Sequence, residues 1–255
     1  MTEFKLFDAH FHVIDPRFPL VPNQGYLPDR YTINDYRERL EGYELCGGAV
    51  ISGSFQAFDQ DYLVDALSRL GPGFVGVTQL PASVSDDELL ELDRAGVRAV
   101  RFNLKRGGSE KVKYLDAMAR RVHEYVGWHI ELYADAQDLT DLLPTLIALP
   151  AVSIDHLGLS AAGLPNLLTM AEKGIRIKAC GFGRVDFDVG QALKDLYAAN
   201  PECLMFGTDL PSTRAIRPYS NRDFQLVIDV LGGEVARQVF CKNATGFYRV
   251  DPGSI

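Results

Sequence analysis

Short apolar runs alternate with helix-length amphipathic stretches from one end of the chain to the other. Runs rich in β-branched residues and bounded by turn formers predict strands over LFDAHF, GAVISGS, FVGVTQL, VRAVRFNL, HIELYAD, VSIDHL, IRIKACG and CLMFGTDL. Between them, apolar residues at three- and four-residue spacing predict helices in YRERLEGYELC, DYLVDALSRL, DDELLELDRA, YLDAMARRVHEYV and FQLVIDVL. Gly96, Gly127 and Gly174 stand where a helix gives way to a strand, the usual place for a residue of positive φ. Ser85 and Glu88 have capping-box spacing at the start of DDELLELDRA. Strands alternating with helices pair in parallel through right-handed crossovers, and eight such units close into a (β/α)8 TIM barrel. An open doubly wound sheet is the alternative, but no glycine-rich phosphate fingerprint follows any strand. No linker or shift of composition divides the chain, so residues 1–255 are expected to form one barrel domain, and a barrel typically needs about 250 residues.

Charge and composition narrow the partners. A formal charge of −8 argues against nucleic acid and anionic lipid, which need a surplus of Lys and Arg at the contact surface. No apolar run approaches the ~20 residues of a membrane-spanning helix, and MTEFKLFDAHFHV lacks the basic-then-apolar order of a signal peptide. Cys46, Cys180, Cys203 and Cys241 form no CxxC pair and suit reduced thiols. A cytoplasmic protein acting on small molecules is expected, with a homo-oligomer left open.

The candidate chemistry gathers at one end of the strands. In a barrel, alternate residues point inward and the C-terminal strand ends carry the active site. His10 and His12 end the first strand, Ser52 and Ser54 the second, Arg101 and Asn103 the fourth, His156 the sixth behind Val152 and Ile154, and Asp209 the eighth behind Met205 and Gly207. An isolated histidine is most often a hydrogen-bonded core or surface residue. An HxH pair, however, sets two imidazoles about 6–7 Å apart along a strand, near enough to meet at one metal ion or one substrate oxygen. His123, within a helical pattern, and His129, at the wrong end of its strand by roughly 13 Å, are expected outside the site. Arg101, Lys105, Arg106 and Arg184 follow or end strands. Each either pairs with a neighbouring carboxylate or forms part of a clamp for an anionic substrate, and Arg101 has the parity of an inward residue.

With these motifs in hand the chain resembles the amidohydrolase superfamily, amidohydrolase-2 type, in the branch of 2-pyrone-4,6-dicarboxylate lactonase and related sugar and muconolactone lactonases. The resemblance runs from FDAHFHV through VSIDHLG and FGTDLP to KNATGFY. It implies a distorted (β/α)8 barrel, with His10, His12, His156 and Asp209 as catalytic residues. It further implies that Tyr26 in GYLP, Ser54 in SFQAFDQD, Arg101 in VRFN, Tyr133 in LYAD and Arg184 in GFGR hold the substrate. Arg106 matches a second arginine after VRFN, one residue closer than in the family pattern. The family's DHxGR departs here to Leu159, which removes one carboxylate-binding donor and favours a monocarboxylate or a neutral sugar lactone.

The expected activity is hydrolysis of a lactone or similar cyclic ester of a small, carboxylated metabolite. By the family's logic Asp209 is the general base and His10, His12 and His156 polarise the carbonyl, directly or through a metal. The alternative within the superfamily is a decarboxylase acting on an aromatic or dienoic acid; outside it, a ligand-binding barrel without catalysis. The fourth and fifth strand ends offer Arg101, Asn103 and Tyr133, none a good zinc ligand. The expected cofactor is therefore none, or one weakly held divalent metal, zinc first, on His10, His12 and Asp209.

Overall fold

The structure is a computed structural model that describes residues 3–250. Eight parallel strands stand side by side in sequence order: β1 (Lys5–Phe11), β2 (Glu44–Ile51), β3 (Phe74–Thr78), β4 (Val97–Asn103), β5 (His129–Tyr133), β6 (Val152–Ile154), β7 (Arg176–Ala179) and β8 (Leu204–Phe206). The helices between them are α1 (Ile33–Arg39), α2 (Asp61–Leu70), α3 (Asp86–Arg94), α4 (Leu115–Val126), α5 (Leu143–Ala148), α6 (Leu164–Glu172) and α7 (Val189–Ala199). After β8 come α8 (Asn221–Leu231), α9 (Gly233–Arg237) and α10 (Asn243–Tyr248). This is the (β/α)8 TIM barrel that the alternation predicts. Among the described residues no helix is long and apolar enough to cross a membrane.

The local punctuation follows the sequence with two exceptions. Gly96, Gly127 and Gly174 all have positive φ, and α2 occupies the span its apolar spacing predicts. At α3, Ser85 Oγ accepts the Glu88 N–H at 3.2 Å, which is half of the expected box. The helical pattern over Tyr36–Cys46 is cut short: α1 ends at Arg39, and Glu44–Cys46 already belong to β2. Gly42, at φ 87°, makes the turn that stops the helix.

Strand alternation divides the apolar residues between two sides. Val100, Phe102, Ile130, Leu132, Ile177 and Phe206 pack with the helices. Ala9, Ala49, Val75, Ala99 and Met205 fill the lower barrel interior, where Tyr248 of α10 stacks on Phe7 at 5.6 Å. A register irregularity between Asp8 and Phe11 shifts the facing of β1 within one turn of its pleat. Ala9 therefore reaches the interior cluster, while His10 and His12 come to the upper cavity.

No ladder joins β8 to β1 among the described residues. The seam closes through a single bridge, Phe11 to Leu210, with the His12 N–H donating to Leu210 O at 2.8 Å and the Asp209 N–H to His10 O at 2.7 Å. Beneath it the buried Asp8 carboxylate accepts from Thr208 N at 2.8 Å, Thr208 Oγ1 at 2.6 Å, Tyr36 OH at 3.2 Å and His10 N at 3.2 Å. Gly207 lets the two backbones meet, since a Cβ there would lie 2.7 Å from His10 N. Burial pushes Asp8 up to about 6 despite these donors, so it is mostly ionised at neutral pH. Asp8→Ala would strand several buried donors at once. A stability loss on the order of 3 kcal/mol or more is expected, read as a lowered urea midpoint; an unchanged midpoint would show that the bridge alone holds the seam.

Candidate active site

The upper end of the barrel brings His10, His12, His156 and Asp209 to one point. Asp209 Oδ1 lies 3.9 Å from His10 Nε2 and 4.0 Å from both His12 Nε2 and His156 Nε2. It is buried and has no hydrogen-bond partner. The other carboxylate oxygen accepts from Arg184 Nε at 2.7 Å. Burial pushes Asp209 above its ordinary range, and the Arg184 guanidinium works in the opposite direction.

His156 arrives by a route that alternation does not predict. Val152 and Ile154 face the helices, so Asp155 takes the next inward position. The strand stops there, and a turn with His156 at φ 51° swings the imidazole over the barrel. Gly181, itself at φ 61°, leaves the necessary space, because a Cβ there would come within 2.6 Å of His156 Nδ1. Asp209 also has positive φ, at 60°, as do Ser212 and Arg214 in the loop after it. Such conformations cost a non-glycine residue about 1 kcal/mol or more and gather where a site over-determines the backbone.

Burial lowers all three site histidines far below their usual range, His12 to about 3, so they are neutral at pH 7. Their Nδ1 partners differ. His12 Nδ1 meets Ile51 O at 2.8 Å, and His10 Nδ1 lies 3.3 Å from Asp155 Oδ1. The hydrogen bond puts the His12 proton on Nδ1, and the Asp155 charge favours the same tautomer in His10, which leaves a lone pair on each Nε2. His156 Nδ1 meets Cys180 Sγ at 3.1 Å. Burial holds the Cys180 thiol protonated, so it can donate to Nδ1 and leave an N–H on His156 Nε2.

Two candidate cation clusters result among the described residues, His10, His12 and Asp209 in one and His10, Asp155 and His156 in the other. The first fits a single divalent ion. Two imidazole lone pairs and a carboxylate oxygen converge there, and both Asp209 Oδ1 and His10 Nε2 are buried without partners. The Arg184 guanidinium on the same carboxylate competes with a cation for it.

Beneath the histidines lies a buried charge network in which Arg101 takes the carboxylate pairing that is one of its two sequence readings, with Glu131, Asp155 and Lys178 as members that reading did not single out. Arg101 donates through Nη2 to Asp155 Oδ2 at 2.6 Å and through Nη1 to Ser52 O at 2.9 Å, and its Nε lies 3.4 Å from Glu131 Oε1. Lys178 pairs with Glu131 and lies 3.7 Å from Asp155 Oδ1. Burial and the neighbouring Asp155 push Glu131 up to about 7, against the pull of Lys178 and Arg101. Burial opposes ionisation of Asp155 too, but Arg101, His10 and Lys178 outweigh it and hold this carboxyl well below the usual range. Alternation could have found Glu131, between His129 and Tyr133 in parity, and Lys178, between the outward Ile177 and Ala179.

The remaining candidates fall into place around a cavity of about 30 Å³. Its walls include Tyr26, Ser54, Arg101, Arg106, Tyr133 and Arg184, together with Arg214, which the sequence reading did not single out. Arg106, Tyr133, Arg184 and Arg214 also border an outer cavity of about 260 Å³. Ser52 lies elsewhere: its hydroxyl is 2.5 Å from Tyr62 OH on α2, because the inward positions of β2 are Ala49 and Ile51. His123 contacts Trp128 O through Nδ1, and His129 packs on Phe247 at 4.3 Å at the lower end.

The Amidohydrolase family model matches residues 7–250. The chain belongs to the amidohydrolase family. It is 35% identical over 156 residues to a 2-pyrone-4,6-dicarboxylate hydrolase of Comamonas testosteroni, an alignment covering 59% of this chain and 51% of that one. The match thus spans about half the length of that relative. A 4-sulfomuconolactone hydrolase of Rhizobium radiobacter is 27% identical over 234 residues, covering 83% of this chain and 77% of its own. Among solved structures, an apo protein of Agrobacterium tumefaciens superposes with a TM-score of 0.85 at 22% identity, covering 98% of both chains. Amidohydrolase 2 of Bifidobacterium longum subsp. infantis superposes with a TM-score of 0.71 at 24% identity over 97% of this chain and 100% of its own. At these identities the superpositions speak for the fold.

The buried network generates a stability prediction. Arg101→Met would leave Asp155 and Glu131 short of a buried counter-charge, and breaking such a pair costs about 3–5 kcal/mol. Urea unfolding of the variant should show that loss, with Arg101→Lys intermediate. Wild-type stability in Arg101→Met would mean that Lys178 alone neutralises both carboxylates.

Proposed function

We propose that the protein hydrolyses a lactone or similar cyclic ester of a small carboxylated metabolite, with Asp209 as the general base. The observation that carries this reading is the unpartnered Asp209 Oδ1, buried and faced by three imidazole Nε2 atoms at 3.9–4.0 Å. A cavity of about 30 Å³ is room for roughly one water. The lactone-acting relatives agree with a cyclic ester.

The steps follow from the side chains. Asp209 Oδ1 takes a proton from water while Arg184 holds Oδ2, and the water oxygen bonds to the ring carbonyl carbon. His156, with its proton on Nε2, donates to the oxyanion that develops there. As the tetrahedral centre collapses, the ring C–O bond breaks and Asp209 returns the proton to the leaving oxygen. Ser54 and Tyr133 line the same cavity and offer hydroxyls to the ring. His10 and His12 turn lone pairs inward and so serve this reaction as ligands; a divalent cation on them and Asp209 would supply Lewis acidity at the ester carbonyl. Its hold is weakened by Arg184, so one metal per chain at most is expected, and dialysis against a chelator should remove it. Metal retained at one equivalent after that dialysis would oppose a weak site.

A panel of lactones followed by pH indicator, with and without added zinc, tests the activity, and trapping of carbon dioxide from aromatic acids tests the decarboxylase alternative. Asp209→Asn should keep KM within a few-fold while kcat falls by about 10²–10⁴ or more. Near wild-type turnover would remove Asp209 as the base. The pH profile should carry the same signature. Because burial raises Asp209, the ionised base is lost as pH falls through that raised value, so the acid limb of kcat/KM should lie above the ~4 of a free carboxylate. A limb at or below 4 would contradict it.

A further inference from the structure

All four cysteines are free thiols, and two of them meet. Cys46 Sγ lies 3.2 Å from Cys241 Sγ, although the residues are 195 apart in the chain. Cys46 is near the start of β2, so the pair sits at the end of the barrel opposite the candidate active site. The other two thiols face groups of a different kind: Cys180 Sγ meets His156 Nδ1 at 3.1 Å, and Cys203 Sγ donates to Leu196 O at 3.3 Å.

Two backbone irregularities bring the pair together. Where β1 runs beside β2, Leu6 faces Leu45 and Phe7 faces Gly47, so Cys46 is the extra residue of a bulge. Gly47, at φ 152°, allows the bulge to press on the next strand connection, since a Cβ there would collide with Gly73 O. On the other side, the chain between α9 and α10 widens into one π-helical turn, Gln238–Lys242, which carries Cys241. Bulges re-aim side chains, and single π-turns gather at functional positions. Each irregularity interrupts a regular hydrogen-bond pattern, and each presents one of the two thiols.

The two sulfurs stand in different surroundings. Cys46 is buried in the cluster of Phe7, Ala9 and Tyr248, whereas Cys241 is half-buried at its edge. The Cys46 S–H, donated to Cys241, pulls the Cys241 thiol below its ordinary range against the effect of burial, and the exposed Lys5 and Lys242 add to that pull. The same contact, together with burial, pushes Cys46 up. Cys241 is thus the accessible thiolate and Cys46 a protonated partner within reach, the arrangement of an attacking and a resolving cysteine.

We propose that Cys46 and Cys241 form a two-electron redox site, closed by hydrogen peroxide into an intramolecular disulfide and reopened by small thiols, whose closed form clasps the C-terminal segment to β2. In the first step the Cys241 thiolate attacks a peroxide oxygen; an S–O bond forms, the O–O bond breaks, and the departing hydroxide takes up a proton as water. In the second the Cys46 sulfur attacks the sulfenic sulfur; the S–S bond forms, the S–O bond breaks, and the hydroxide released takes the Cys46 proton. Two thiols are oxidised by two electrons and the peroxide is reduced to two waters. A disulfide bond is about 2 Å long, so closure asks for a movement of roughly 1 Å. The bridge ties β2 to the turn just before Tyr248, whose ring stacks on Phe7. It closes a loop of most of the chain, the kind that restricts the unfolded state most. None of this depends on the lactone reading.

Reduced protein exposed to hydrogen peroxide, alkylated in denaturant and weighed intact, tests the site. The expected product has lost two hydrogens and alkylates only at Cys180 and Cys203. Its digest should contain the Cys46–Cys241 pair, and dithiothreitol should restore every thiol. Its urea midpoint should lie roughly 1 M above that of the reduced protein, a shift that Cys241→Ser abolishes. Cys46→Ala separates attack from resolution: Cys241 should then stop at the sulfenic acid and take up dimedone, while Cys241→Ser should leave Cys46 unoxidised. A wild-type protein that keeps all its thiols, a crosslink through Cys180 or Cys203 or between chains, or sulfinic acid at Cys241 without a crosslink would each overturn the site. A Cys46–Cys241 crosslink that leaves the urea midpoint unmoved would overturn the clasp.

Discussion

The approach of β8 to β1 is the constraint from which the rest of the catalytic end follows. His10 lies on β1, with His12 just beyond its end and Asp209 just beyond β8, so the distance between the carboxylate and these two imidazoles is set at this seam. A full ladder would fix the strands in regular register. Here a bridge, two backbone hydrogen bonds and the Asp8 carboxylate do so instead, with Gly207 removing the side chain that would hold them apart. On its other side β1 pairs irregularly with β2 between Asp8 and Phe11, the stretch in which the histidines turn toward the cavity. Closure of the fold and assembly of the site are one event.

A second layer supports the first. Asp155 accepts Arg101 on one oxygen and faces His10 Nδ1 with the other, so the electrostatic balance of the barrel interior also sets the tautomer of a site histidine. Lys178 and Glu131 complete a group of two acids and two bases with no net charge when all are ionised. Removing any one member alters the field at the others. The neutral state of the three histidines comes first from their burial, with Lys178 and Arg101 adding to it and Asp155 opposing it.

How much could be read from the chain depended on whether a strand stayed regular. Where alternation held, as at Arg101 and Asn103 on β4, parity placed the side chains correctly, and eight apolar runs were enough to define the barrel. It misled at β6, where the strand stops after Ile154 and a left-handed turn, not parity, delivers His156. It misled at Ser52, one position past the end of β2. Glu131 and Lys178 obeyed the rule but were overlooked, because a charged residue flanked by apolar ones is readily taken for part of the strand's apolar run. Arg214 had no such signal, since its position depends on how the turn after Asp209 folds back over the cavity.

The loop over the mouth ties down the side chains around it. Asn23 offers its backbone carbonyl to Arg214, and with Gln24 it fastens the Arg106 backbone through side-chain amides. The first loop is therefore an internal ligand, holding one N–H of a guanidinium that faces the cavity. At that N–H, a molecule entering the cavity would exchange one acceptor for another. A carboxylate, as the stronger acceptor, gains by that exchange, whereas a ring hydroxyl or ketone offers little more than the peptide carbonyl it displaces. Any acceptor at that position would thus compete with the protein's own backbone, on terms set by the conformation of the loop around Asn23.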